Sequence, residues 1–169
     1  MVRAMLIAVL ITIGLQGNAQ TESRITRYNY FFLEAIRQQE MGNLAAAFDL
    51  LNHARDINPK APEVYYEIAG YYVAMQNSKA ARYNFEQAAK LAPDNSTYLE
   101  KLGQFYISQN NYEDALTTYE QLYTSNKTRE DVLQILYQLY GAQNNYKKMI
   151  EMIERMELLS GASEQLSLT

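Results

Sequence analysis

Pro59 and Pro93 lie 34 residues apart, and the residues around them repeat in kind at the same interval. Proline cannot continue a helix, so each marks an end. Between them, Val64, Tyr65, Ile68, Ala69 and Tyr72 form one apolar pattern of helical period. Ala81, Phe85, Ala88 and Leu91 form a second, and Asn77-Ser78 breaks the two. That interval is the length of a helix–turn–helix unit that stacks on copies of itself, and nothing else in the chain restricts its fold as tightly.

Laid out at this period, the chain gives four units, over residues 28–61, 62–95, 96–129 and 130–163. Each holds a helix A, a short turn and a helix B. The same demands return at the same offsets. A small residue is needed in mid helix A, where helix B crosses closely: Ala35, Ala69 and Gly103. Another is needed early in helix B: Ala47, Ala81 and Ala115. A bulky residue follows a turn later at Leu51, Phe85 and Tyr119, and a further apolar contact at Ala54, Ala88 and Leu122. The A–B turn needs a residue that tolerates positive φ, met by Gly42, Asn110 and Asn144. Asn43, Ser78, Asn111 and Asn145 are expected to cap helix B, and Pro62 suits the first turn of a helix A. The fourth unit departs most: Tyr137 and Met149 take the small positions, while Leu133, Leu136, Tyr140, Tyr146 and Ile153 keep the apolar pattern.

On these residues the chain resembles the tetratricopeptide repeat, most closely at Tyr65, Ile68, Ala69, Tyr72, Ala81, Phe85, Ala88 and Pro93 of the second unit. In the third unit the matching residues are Leu99, Leu102, Gly103, Tyr106, Tyr112, Ala115, Tyr119 and Leu122. The resemblance implies an all-α fold, a right-handed α-solenoid of stacked antiparallel helix pairs with about four 34-residue repeats. A generic helical bundle is the competing reading. Gly161-Ala162-Ser163 followed by residues 164–169 reads as the start of a fifth helix A or a frayed tail. The chain is therefore expected to be either part of a longer array or a complete four-repeat protein.

Ahead of the repeats, Arg3, an apolar run over residues 4–15 and small residues at Gly17 and Ala19 follow the three-part plan of a secretory signal peptide. Cleavage is expected after about Ala19, leaving residues 20–27 as a lead-in. The run is shorter than the ~20 residues of a membrane span; an uncleaved anchor is the alternative. The absence of cysteine removes disulfides, thiol catalysis and thiolate metal sites, and with an export leader it suggests a bacterial periplasmic or secreted setting. A net charge of −4 gives no basic face for nucleic acid.

No catalytic constellation is visible. His53 is the single histidine, and acids such as Glu63, Glu67, Glu86 and Glu100 have the spacing of solvated helix faces, as do Glu151, Glu154, Arg155 and Glu157. There is no phosphate-cradling glycine loop. Neither a metal nor a small-molecule cofactor is expected, and a membrane only through the leader before cleavage. The resemblance implies that partners lie along the concave helix-A face. The residues that would meet them are Phe32, Ile36, Tyr66, Val73, Gln104 and Ile107. Asn29, Gln39, Gly70, Glu100, Gln134 and Gln138 share that face. Phe32 and Ile36 stand where a basic carboxylate clamp would begin, so the surface suits a protein or peptide segment with an apolar anchor and polar flanks. The expected function is a non-enzymatic protein–protein interaction scaffold of the bacterial envelope. The alternative is the N-terminal repeat region of a longer exported protein whose activity lies downstream.

Overall fold

Helix starts recur at one interval in the computed structural model of the chain. The structure describes the backbone of residues 2–167 and the side chains of residues 21–161. The expected leader and its cleavage position lie outside the described side chains. Among the described residues the fold is all helical: α1 (Val2–Glu40), α2 (Leu44–Ile57), α3 (Pro62–Ala74), α4 (Ser78–Leu91), α5 (Ser96–Ser108), α6 (Tyr112–Ser125), α7 (Glu130–Ala142) and α8 (Tyr146–Ser167). The A helices α3, α5 and α7 open at Pro62, Ser96 and Glu130, and the B helices α4, α6 and α8 at Ser78, Tyr112 and Tyr146. No helix among the described residues is long and apolar enough to cross a membrane.

The four A–B turns share one backbone solution. Gly42, Gln76, Asn110 and Asn144 adopt φ of 80°, 56°, 57° and 56°. The next amide in each case reaches back five residues: Asn43 to Gln38, Asn77 to Tyr72, Asn111 to Tyr106 and Asn145 to Tyr140, all at 2.9 Å. This left-handed closure satisfies carbonyls that a helix end leaves open. Gln76 takes the position without glycine or asparagine, so its composition hid it. The caps partly differ from expectation. Asn111 and Asn145 accept from the amides of Asp114 and Lys148. In the second repeat, however, Asn77 rather than Ser78 caps α4, accepting from Ala80 at 3.1 Å. Ser78 is already the first helical residue. Asn43 does not cap at all; its amide donates to Gln38.

The chain forms two compact units, residues 1–84 and 85–169, with the boundary inside α4. In the first, α1 packs on α2 and α2 on α3. Ala35, Leu51, Ala54, Val64 and Ile68 are fully buried at its centre, with Phe31, Phe32, Phe48, Tyr71 and Tyr72 packed around them. Each such large side chain contributes about 1.5–3 kcal/mol by burial. In the second, α5 packs on α6, α6 on α7 and α7 on α8. Leu102, Tyr119, Leu122, Leu133 and Leu136 are buried there, and the Phe85 and Phe105 rings lie 5.5 Å apart. A hydrogen bond invisible to periodicity recurs within this unit. Tyr106 donates to Glu86 at 2.8 Å and Tyr140 to Glu120 at 2.5 Å, each tying helix A of one repeat to helix B of the one before.

Two expectations for the last repeat are corrected. Tyr146 and Ile153 are exposed, at 66% and 39%, and among the described side chains of α8 Met152 is the buried one. Met152 stands at the offset where Asn84 and Thr118 are buried in the two preceding repeats, so α8 keeps that contact and loses the one that Phe85 and Tyr119 make. Nor does a fifth helix open at Glu164. α8 runs unbroken from Tyr146 to Ser167, because Gly161 is tolerated inside a helix at a cost of only about 1 kcal/mol.

Candidate functional site

The first unit carries an apolar recess at the A–B turn end of its helices. Gln39 of α1, Leu44 of α2, and Glu67, Gly70 and Ala74 of α3 enclose about 210 Å³ over Tyr71. An adjoining recess of about 350 Å³ shares Leu44, Tyr71 and Ala74 and adds Phe48, Asp49 and Met75. Local sequence explains the hollow. Gly70 has no side chain and open space above it, and Ala74 is small, so the α3 backbone forms a low floor. Around the floor, Leu44 is 56% exposed and Met75 55%.

The floor is held in place. The Tyr71 ring lies 5.4 Å from that of Phe48, and its hydroxyl donates to Gln39 Oε1 at 3.1 Å. Phe48 also meets Tyr72 edge-on at 5.4 Å. Glu67 stands at the side of the recess. Burial raises its carboxyl above the ordinary range, opposed only in part by a hydrogen bond from Gln39. Burial likewise raises the phenols of Tyr66 and Tyr71.

The residues singled out from sequence fall in both units. Gln39 and Gly70 line the recess, and Val73, 48% exposed, is one turn from Gly70 on α3. Phe32 does not stand free: it stacks on Tyr28 at 5.9 Å and packs against the core of its unit. Ile36 and Tyr66 are half-buried and Asn29 is exposed. In the second unit Gln104, Gln134 and Gln138 are exposed and Ile107 is half-buried. Glu100 is engaged there by Arg129, which also pairs with Asp131 and holds that carboxyl below its ordinary range.

Leu44, Phe48, Asp49, Tyr71 and Met75 were missed by sequence reasoning. A signal was present. Met41 and Leu44 flank the Gly42 turn, and Met75 precedes the Gln76 turn, so apolar side chains bracket two turns where solvated residues would be ordinary. His53 is exposed, with the Phe31 ring 4.2 Å away. Of the expected solvated stripe, Glu154, Arg155 and Glu157 are exposed, while Glu151 is half-buried and accepts from Lys148 at 3.0 Å. Among the described residues no three metal-binding side chains cluster.

Residues 72–139 match the tetratricopeptide repeat. No curated protein sequence matches the chain. Similar solved structures include a crystal structure of MamA, with a TM-score of 0.67 and 14% identity over 82% of this chain and 81% of that one. MamA of AMB-1 gives 0.68 and 17%, over 84% and 78%. A tetratricopeptide repeat protein from Parabacteroides merdae ATCC 43184 gives 0.67 and 19%, with 78% of this chain covering 52% of that protein. At these identities the likeness is one of fold. The fold is an α-solenoid of stacked helix pairs, as in tetratricopeptide repeat proteins.

Proposed function

We propose that the chain is a non-enzymatic interaction scaffold, exported to the bacterial envelope, that holds a segment of another protein in the recess of its first unit. The observation that carries this reading is the recess itself: a preformed apolar hollow with a fixed aromatic floor, rimmed by exposed Leu44 and Met75. Hollows of this kind suit a buried anchor side chain from a partner segment. Leu44, outside the buried core, lines both hollows. The leader pattern at residues 1–19 supports export, with Gln20 as the first residue after cleavage.

The test is co-purification from native envelope extracts with wild type and Leu44→Glu in parallel. A specific partner retained by wild type and lost by Leu44→Glu, with unchanged melting curves, is the expected result. Identical partner sets for the two proteins would refute a role for the recess. The mass of the protein recovered from the periplasm reports the N-terminus; a chain beginning at Met1 would refute cleavage.

A further inference from the structure

We infer that the segment held in the first-unit recess carries a lysine or arginine beside its apolar anchor, and that Glu67 is the counter-ion for that side chain. The inference rests on the scaffold reading above and names the chemistry of the partner. The charged residues lining the two recesses are both acids, Glu67 and Asp49, and no lysine, arginine or histidine lines either one.

Glu67 is placed to receive a donor. Gln39 Oε1 accepts from the Tyr71 hydroxyl, which leaves the Gln39 amide to donate to the Glu67 carboxylate. An ionised carboxylate offers about four acceptor positions, so one amide leaves most of that capacity open. Arg37, two residues before Gln39 on α1, does not act on Glu67. Arg37 is committed to Glu34 through two hydrogen bonds, of 2.8 and 2.5 Å. Burial acts against the charged form of Glu67, and an incoming cation would relieve that cost. The same two acids repel an anionic tail, so the recess selects against the partner that a basic carboxylate clamp accepts.

A random peptide library displayed on phage, selected against the intact protein and against Glu67→Gln and Leu44→Glu, tests this. Wild type is expected to enrich peptides with lysine or arginine next to an apolar residue. Glu67→Gln is expected to keep the apolar preference and lose the basic one. In fluorescence polarisation, a wild-type-selected peptide should bind Glu67→Gln roughly tenfold more weakly, with a shallower salt dependence. Glu67→Gln removes a half-buried charge, so its melting temperature should match or exceed wild type, which separates lost recognition from lost folding. Enrichment of apolar peptides without basic residues, enrichment of acidic ones, or equal binding to Glu67→Gln would overturn the inference while leaving the scaffold reading intact. Failure of the scaffold reading has a different signature: no enriched peptide loses binding on Leu44→Glu, and the inference falls with it.

Discussion

Alanine placed at Gly103 and at Gly70 should change stability in opposite directions. Both glycines lie inside an A helix without a positive φ. A Cβ at Gly103 would sit 2.6 Å from Tyr119 Cε2 and 3.0 Å from Cδ2. Carbon atoms pack at about 3.5–4.0 Å, so the ring must move by about 1 Å. Tyr119 is only 2% exposed, and its neighbours must move with it. Overpacking of this kind costs about 1–3 kcal/mol, against a helix-propensity gain of about 1 kcal/mol for replacing glycine by alanine. The net effect is a loss of up to about 2 kcal/mol. At Gly70 nothing lies within 4 Å of the new methyl, so the gain of up to about 1 kcal/mol stands alone. The difference between the two variants isolates the overpacking, and at about 2–4 °C per kcal/mol for a chain of this size it is readily measured. Urea and thermal denaturation followed by circular dichroism provide the assay. A Gly103→Ala protein as stable as Gly70→Ala would refute the close helix crossing on which the repeat register depends.

Other expectations follow from single contacts. Asn77→Ala should cost about 1 kcal/mol through loss of the α4 cap, and Ser78→Ala close to nothing, by the same denaturation assay; the reverse order would restore Ser78 as the cap. Tyr106→Phe and Tyr140→Phe should each destabilise the second unit by about 1–3 kcal/mol, since each removes a hydrogen bond to a carboxylate; hydrogen exchange in α6 and α7 reads the effect. Glu34 titrates at about 2, because Arg37 and Gln38 donate hydrogen bonds to it. Its pKa is lowered in the folded protein, so its contribution is present above the ordinary 4.5 and is lost as pH falls through about 2. Side-chain NMR titration of Arg37→Ala should show the Glu34 carboxyl moving back toward 4.5.

Most of the fold was legible because its demands are periodic. Ala35, Ala47, Ala69, Ala81 and Ala115 are all fully buried, at the offsets where close helix crossings need small residues, and Ala54 and Ala88 are buried at the offset of the further apolar contact. Small size at a fixed interval leaves a mark in one sequence. The departures come where one physical solution admits several residues. Gln76 adopts the left-handed turn without the usual glycine or asparagine. Asn77 takes the cap from its neighbour Ser78, since either side chain can accept that bond. α8 leaves Ile153 exposed where Phe85 and Tyr119 are buried, while Met152 keeps the buried offset of Asn84 and Thr118.

The site was less legible for a related reason. Residues along helix A could be placed on a face by period, and Gln39 and Gly70, which line the recess, were among those so placed. Whether such a face is hollow or filled depends on neighbouring helices. Phe32 shares the predicted face but stacks on Tyr28 and joins the core. Leu44 and Phe48 come from helix B, a different periodic series, and reach the recess only because α2 packs beside α3. Glu67 has the spacing of a solvated acid, and its half-burial follows from Gln39 and Tyr71, 28 residues before it and four after it in the chain.

A partner segment seated in the first-unit recess would change the surroundings of the backbone amides that line it. Amide chemical-shift mapping of the intact protein with a library-selected peptide reads that change residue by residue. Perturbations centred on Leu44, Glu67, Gly70 and Ala74 are expected, and their loss in Leu44→Glu. Perturbations centred on Gln104, Gln134 and Gln138 of the second unit, with the recess amides unmoved, would contradict binding in the recess.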